Sequence, residues 1–287
     1  MTALIPKKGY SRDAVNLLVR VVATFGAMLG LFILGWILWT VIEKGIPALN
    51  LSFFTKLPTP PGMEGGGMIN AIVGTVLMTF LAALGSVPVG ILAGVYLAEM
   101  GRQERFATVV RFVVNVLVGV PSIIIGVFVY GLMVVPMKTF SGYAGAIALS
   151  IIMLPVIIRT TEDMLRMVPD SLREAGLSLG IPRWRVTVQI IFRAAKTGML
   201  TGVLLAVARV SGETAPLLFT ALNSPYWLHS LKEPVANLTV TIFNYAMSPY
   251  RDWQAQAWGA SLLIMMAVLV TNIIARAVFN RQFRGRK

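Results

Sequence analysis

Six apolar runs decide what this chain can fold into. They cover about residues 21–41, 71–97, 112–135, 144–158, 198–222 and 258–279. A helix needs about 20 predominantly apolar residues to cross about 30 Å of hydrocarbon, and only the fourth run is clearly short of that on strict counting. The composition agrees. Of 287 residues, 56% are hydrophobic and only 13% are charged, against about 25% charged in a soluble domain. The expectation is an all-α polytopic membrane protein with six transmembrane helices. Pro88, Pro121, Pro155 and Pro216 fall inside the runs. Membrane helices tolerate proline where neighbours re-satisfy the backbone, so these positions predict kinks. The Gly and Ala positions predict close helix approach.

A net charge of +13 would suit nucleic acid if it were gathered on one face, but it is sorted by loop. One set of segments holds Lys7, Lys8, Arg12 and Arg20, then Arg102, Arg105 and Arg111. It continues with Arg159, Arg166, Arg173, Arg183, Arg185, Arg193 and Lys196, and ends with Arg276, Arg281, Arg284, Arg286 and Lys287. The opposite set holds only Lys44, Lys56, Lys138, Lys232 and Arg251. Cytoplasmic loops carry the Lys/Arg excess, so both termini are expected inside, and no nucleic-acid partner is expected. Residues 1–20 form a cytoplasmic segment, 21–280 a membrane domain with a cytoplasmic loop at about 159–196, and 281–287 a basic tail. The first run is longer than the apolar core of a secretory signal and lacks a small-residue cleavage pattern, so it is read as a retained helix.

Several chemistries are excluded. There is no Cys, which removes disulfides and thiolate chemistry. The single His229, in a polar connection, is read as an ordinary exposed residue, and no metal site is expected. Glu162 and Asp163 lie side by side in a cytoplasmic loop instead of facing each other across a cleft, which argues against an enzyme. No Walker A pattern occurs; Lys196-Thr197 is preceded by Ala195, so no phosphate cradle forms. No internal repeat is visible, which weakens an inverted-repeat transporter.

The outside connections are of two kinds. Residues 57–68, rich in Pro and Gly, read as an irregular loop. Residues 223–256 carry Tyr226, Trp227, Tyr245, Tyr250 and Trp253. These read as a membrane-interface belt, with a docking surface for an outside partner as the sharper alternative.

Arg209 and Glu213 stand inside the fifth run. A charge at the bilayer centre costs at least about 2.5–3.5 kcal/mol and is a functional candidate by default. If the run is one helix entering the hydrocarbon near Gly198, Arg209 lies about 17 Å in and Glu213 about 6 Å further, on the same face and able to pair. Basic-before-acidic is the poorer order for such a pair, so helix stabilisation alone is a weak reason for it. The candidate path residues are Arg209, Ser211, Glu213 and Thr214. The alternative is a buried structural pair.

The loop between the fourth and fifth runs is the most ordered polar region. Ser171 and Glu174 have capping-box spacing, which starts a helix near Leu172. Gly180 suits its left-handed end and Pro182 the first turn of a second helix. Leu172, Ala175 and Leu179 share one face.

The string Glu174-Ala175-Gly176, then Gly180, then Ile190 resembles the EAA loop of binding-protein-dependent ABC importer permeases. Gly176 replaces the second Ala, and Phe192-Arg193 stands where Leu-Pro is usual. The stretch Ala208 to Ala221, above all Gly-Glu-Thr-Ala-Pro-Leu-Leu at 212–218, resembles the phosphate-transporting branch of that family. Residues 66–75 and 120–126 do so too. The resemblance implies a type I importer permease fold in a bacterial cytoplasmic (inner) membrane. It implies that Ser171, Glu174, Ala175, Gly180 and Ile190 belong to the contact with separate ATPase subunits, a pair, which would hold ATP and magnesium; no cofactor is expected in this chain. A sister permease in a heterodimer, an extracytoplasmic phosphate-binding protein and phosphate itself complete the implied partners. Arg offers a planar fork to an oxyanion, while Glu213 keeps the site from becoming a trap. The alternatives are a permease for another oxyanion or an amino acid, or an ion-driven secondary transporter.

Overall fold

The structure is a computed structural model and describes residues 10–284 apart from 64 and 103. Residues 1–9 and 285–287, with Lys7, Lys8, Arg286 and Lys287, lie outside the described residues. Among the described residues the chain is helical, without strands. The long α1 (Tyr10–Gly45), a 3-10 turn (Ile46–Ala48) and α2 (Leu51–Thr55) precede α3 (Ile69–Val95), which ends in a π turn at Tyr96–Met100. Next come α4 (Arg105–Gly119), α5 (Ser122–Val129) and, after a π turn at Tyr130–Val134, α6 (Val135–Met137). They are followed by α7 (Gly142–Arg166), α8 (Asp170–Ser178) and α9 (Arg183–Val186), which continues through Thr187–Ile191 into α10 (Phe192–Val210). Three helices close the chain: α11 (Ala215–Thr220), α12 (Leu238–Ala246) and α13 (Arg251–Arg284).

The centre of the bundle is α3 against α7. Ser86 meets Met153, a Cβ on Gly90 would strike Ile157, and one on Gly94 would strike Thr161. Met78 lies against Gly145 in the same way. The offset between partners is constant along both helices, so α3 and α7 run parallel and in register. The α3 side of this seam is Met78, Ala82, Ser86, Gly90 and Gly94, one buried residue every fourth position, while Gly74, one turn earlier, packs on Val235 and Ala236. Lipid supplies no hydrophobic drive between helices, so close backbone approach at small residues holds such a pair together. The seam's other face, with Val76, Phe80, Leu84 and Leu92, is exposed and suits lipid.

Helix α10 packs on α7 beside this seam. Gly198 lies against Met164 and Gly202 against Thr160, a constant sum that makes this pair antiparallel. Buried side chains of all three helices, including Met78, Met153, Ile157, Ala206 and Val210, form the main core. α13 covers α10, and Gly45 at the end of α1 meets Leu262 on α13. The rest of α1 is exposed in the isolated chain, from Val15 to Trp39.

Three boundaries differ from the sequence expectation. The third run is two helices bent by 103°. Pro121 forces Val120 into an extended conformation (ψ 128°) and then caps α5, its carbonyl accepting from the Ile124 N–H at 3.0 Å. The fifth span is Arg183–Val210, not 198–222: its first turns carry Arg183, Arg185, Arg193 and Lys196, which mask a helix from a hydropathy reading. The fourth is the 25-residue α7, long enough to cross. Of the four expected kinks, Pro88 and Pro155 sit inside continuous helices, whereas Pro121 and Pro216 start new ones. Among the described residues, five helices are thus long and apolar enough to span alone, and the bent α4–α6 pair makes a sixth crossing when counted as one.

The seam makes a direct prediction. A Cβ at Gly94 would lie 2.6 Å from the Thr161 Cβ and 2.9 Å from the Ile158 carbonyl oxygen. Gly94→Val should therefore destabilise the protein by about 1–3 kcal/mol through overpacking. Gly85→Ala, whose Cβ would meet nothing nearer than 3.7 Å, should be neutral. Thermal unfolding of the purified protein in detergent distinguishes the two.

Candidate functional site

The apolar stretch around Arg209 and Glu213 is not one helix. α10 ends at Val210, and Ser211 to Thr214 leave the helical path before α11 begins. Gly212 and Glu213 still donate backwards to the carbonyls of Arg209 and Val210, at 3.2 and 3.1 Å. Pro216, in the first turn of α11, suits a helix start because its missing N–H is not needed there. The pairing expected between Arg209 and Glu213 is therefore absent: among the described residues Arg209 forms no ion pair. A four-residue spacing places side chains on one face only while the helix continues, and here it stops between them.

The break is held from several sides. The Thr239 hydroxyl donates to the Glu213 carbonyl at 2.8 Å. Asn237, fully buried, accepts from the N–H of Val240 and donates to the Leu222 carbonyl. This caps α12 and fixes Leu222 in its left-handed conformation (φ 57°). The Thr75 hydroxyl accepts from the Leu238 N–H. On the far side Gly126 of α5 packs against Pro216 of α11, so close that a Cβ would lie 2.6 Å from the Pro216 Cα. The stretches around 66–75, 120–126 and 212–218, singled out separately in the sequence, thus meet at one place.

Arg209 is exposed in the isolated chain, while Ser211, Glu213 and Thr214 are half-buried. The Ser211 hydroxyl is occupied by the Ala208 carbonyl, to which it donates at 2.8 Å. From Lys196, the last charge before the apolar part of α10, to Arg209 is about 20 Å of helix. Irregular backbone at such depth is tolerated only where it is buried in protein or lines water.

The second cluster lies at the opposite end of the bundle. α8 starts at Asp170, two residues earlier than the expected Leu172, and no side chain caps it. Ser171 is inside the helix, so the capping box is not formed. Pro169 sets the entry, and the carboxylate of Asp170 occupies the first turn, where the helix dipole favours it. The end is as expected. Gly180 adopts φ 74°, its N–H donates to Leu177 at 2.9 Å and the Ile181 N–H to Gly176 at 3.3 Å, a Schellman closure. Pro182 sits one place before α9. Gly176 is buried against Val186 and Ile190, where an added Cβ would come within 3.0–3.2 Å. An alanine there would make the neighbours give way slightly, which accounts for Gly at this position. Glu174 and Ala175 are exposed, as are Leu172, Leu177, Leu179 (79%) and Trp184 (60%).

What anchors α8 was not read from the sequence. Arg173 contacts Glu99, in the π turn ending α3, with Nη2 at 2.7 Å and Nε at 3.2 Å from Oε1, and both side chains are only 12% exposed. Its remaining donors go to the carbonyls of Leu165 and Val168 and to Asp170. Arg102 adds a bond to Asp170 at 2.9 Å, which holds that carboxyl below its ordinary pKa. Glu162, expected in a loop, lies in the last turns of α7, where it pairs with Arg111 and Arg166, each at 2.7 Å. Glu162–Arg166 and Asp170–Arg173 keep helical spacing, but the partners of Glu99–Arg173, Glu162–Arg111 and Asp170–Arg102 are far apart in sequence and follow no local spacing rule.

Comparison with known proteins fits this geometry. Residues 86–284 match the family described as binding-protein-dependent transport system inner membrane component. The chain is 48% identical over 276 residues to the phosphate transport system permease protein PstA of Yersinia pestis, covering 96% of this chain and 94% of that one. It is 49% identical to the protein of the same name from Haemophilus influenzae, covering 95% and 96%. A solved methionine ABC transporter, MetNI, in an inward-facing form shares the fold with a TM-score of 0.63 at 19% identity, covering 74% of this chain and 95% of that one. A bacterial ABC transporter involved in alginate import aligns over 90% of this chain and 98% of that one, with a TM-score of 0.55 at 16% identity. The broken helix, the exposed α8–α9 hairpin and the match over residues 86–284 lead to one conclusion: the chain belongs to the family of membrane components of binding-protein-dependent transport systems.

Proposed function

We propose that the chain is the membrane-spanning permease subunit of an ATP-driven importer that moves inorganic phosphate across a bacterial cytoplasmic membrane. The observation that carries this reading is Arg209: a guanidinium at membrane depth, beside a helix break, facing away from its own chain. Facing lipid, it would cost at least about 2.5–3.5 kcal/mol. Facing a water-filled path, it presents a planar donor fork that matches an oxyanion. The likeness to phosphate permeases supports phosphate over other anions. Arg209 then lowers the barrier for the anion. Glu213, at the break, accepts from a phosphate hydroxyl and keeps the anion from being held too tightly, since conduction needs binding weak enough to leave.

The other side of the path belongs to a sister permease subunit, and an extracytoplasmic binding protein delivers phosphate. Energy comes from a pair of separate ATPase subunits, which hold ATP and magnesium. The α8–α9 hairpin is their docking element, with Leu172, Leu177, Leu179 and Trp184 as its apolar contacts and Ser171, Glu174 and Ala175 on its exposed surface. Gly180 shapes the turn, and Gly176 with Ile190 ties α8 to the start of α10. Arg173 and Glu99 transmit its motion to α3.

Three outcomes test this. Arg209→Gln should lower uptake of radiolabelled phosphate by about tenfold or more, the worth of charge-assisted hydrogen bonds, with assembly unchanged. Normal uptake by both Arg209→Gln and Glu213→Gln would overturn the path. Leu179→Asp should abolish co-purification of the ATPase while leaving the permease folded in the membrane. Arg173→Met leaves Glu99 buried without its partner and should destabilise the α8 junction by about 3–5 kcal/mol; in the assembled complex, phosphate moved per ATP hydrolysed should fall, and an unchanged ratio would remove Arg173 from coupling.

A further inference from the structure

A small cavity of about 140 Å³ lies between α4 and the last turns of α7. Its polar wall is Arg111, Asn115, Arg159, Glu162, Asp163 and Arg166. Arg111 is committed inward: Nε donates to Glu162 at 2.7 Å, and Nη2 to the carbonyls of Leu97 and Gly101 at 2.7 and 3.0 Å. Glu162, a tenth exposed, is already shared by Arg111 and Arg166. Arg159 donates through Nη1 to the Asn115 carbonyl oxygen, and its Nε is 3.8 Å from Asp163, beyond hydrogen-bond length.

Three guanidiniums thus face two carboxylates, which leaves one positive charge. Among the described residues, Nε and Nη2 of Arg159 and Nε and Nη1 of Arg166 have no hydrogen-bond acceptor, and Asn115 spends its acceptor on Arg159. The side chains of Arg159 and Arg166 are 56% and 44% exposed, so these donors are open at the cavity mouth, and a group that suits them accepts hydrogen bonds and carries about one negative charge. Glu162 is about 30 Å of helix from Gly142, the thickness of the hydrocarbon, which puts the cavity at the level of the lipid phosphates on the Lys/Arg-rich side. Phe112, Val113 and Val116 of α4, beside Asn115 in the chain, are exposed and apolar, as a surface beneath acyl chains would be. Basic pockets between membrane helices on the cytoplasmic side suit anionic head groups.

We infer that this cavity binds a monoanionic phosphate group through Arg159, Arg166 and Asn115, presented by an anionic phospholipid of the cytoplasmic leaflet or as inorganic phosphate. The site is separate from Arg209 and does not depend on what the path carries. Bound there, the phosphate braces α4 against α7 next to the Arg111–Glu162 pair.

The test is thermal unfolding of the delipidated permease–ATPase complex, titrated in parallel with short-chain phosphatidylglycerol, short-chain phosphatidylcholine and inorganic phosphate. A saturable rise with phosphatidylglycerol but not phosphatidylcholine identifies a lipid head group; a saturable rise with inorganic phosphate identifies the free ion. In either case Arg159→Gln/Arg166→Gln should raise the half-saturating concentration about tenfold or more, and Arg193→Gln, an exposed charge outside the cavity, should not. Asp163→Asn, which keeps every arginine, should lower it by removing the unshared negative charge, and it serves as the readout should the double variant fail to assemble. No rise with any ligand, a rise unchanged in the double variant, or weaker binding in Asp163→Asn overturns the proposal.

Discussion

The approach of α3 to α7 sets the geometry on which the rest of this molecule depends. With Met78, Ala82, Ser86, Gly90 and Gly94 at every fourth place, the backbones come close enough that Gly90 and Gly94 lie against Ile157, Ile158 and Thr161. Dispersion contacts over that length replace the hydrophobic drive that lipid cannot supply. Because the two helices are parallel and in register, their C-terminal ends arrive together. That brings Glu99 at the end of α3 beside Leu165 and Val168 at the end of α7, and Arg173 closes the junction over both. The position of α8 is therefore inherited from the seam.

The same bundle places an irregular segment deep in the membrane at its other end. The backbone between α10 and α11 leaves the helix at Ser211, and its polar groups are met by Thr239 and by backward bonds within the turn. The break and the hairpin are joined by one continuous rod, Arg183–Val210, whose lower end forms the hairpin's second helix and whose upper end carries Arg209. The hairpin and the break thus lie at the two ends of one helix, with no non-helical joint between them.

Much of this was legible in the chain. Apolar length located most of the spans, and Gly180 announced the turn that it makes at φ 74°. Other features were misread for definite reasons. Arg183, Arg185, Arg193 and Lys196 hid the lower half of the fifth span from hydropathy, although they stand on a helix that extends beyond the hydrocarbon. Pro121 and Pro216 were read as kinks but begin new helices, because hydropathy records no direction of the chain. Ser171 had the spacing of a cap, yet the Asp170–Arg173 bond moved the helix start ahead of it.

The sequence alone determined that the chain crosses a membrane several times, that two charges must be kept there, and that no ATPase site of the Walker type is included. These follow from local composition and spacing, since the cost of exposing a polar group to hydrocarbon is paid residue by residue. Only the tertiary structure decided that Arg209 ends a helix while Glu213 lies in the break beyond it, that Arg209 faces outward, and that Glu99 and Glu162 find arginines across the bundle. Those facts depend on which helices lie side by side, and neighbours 51 or 74 residues apart along the chain leave no periodic trace in it.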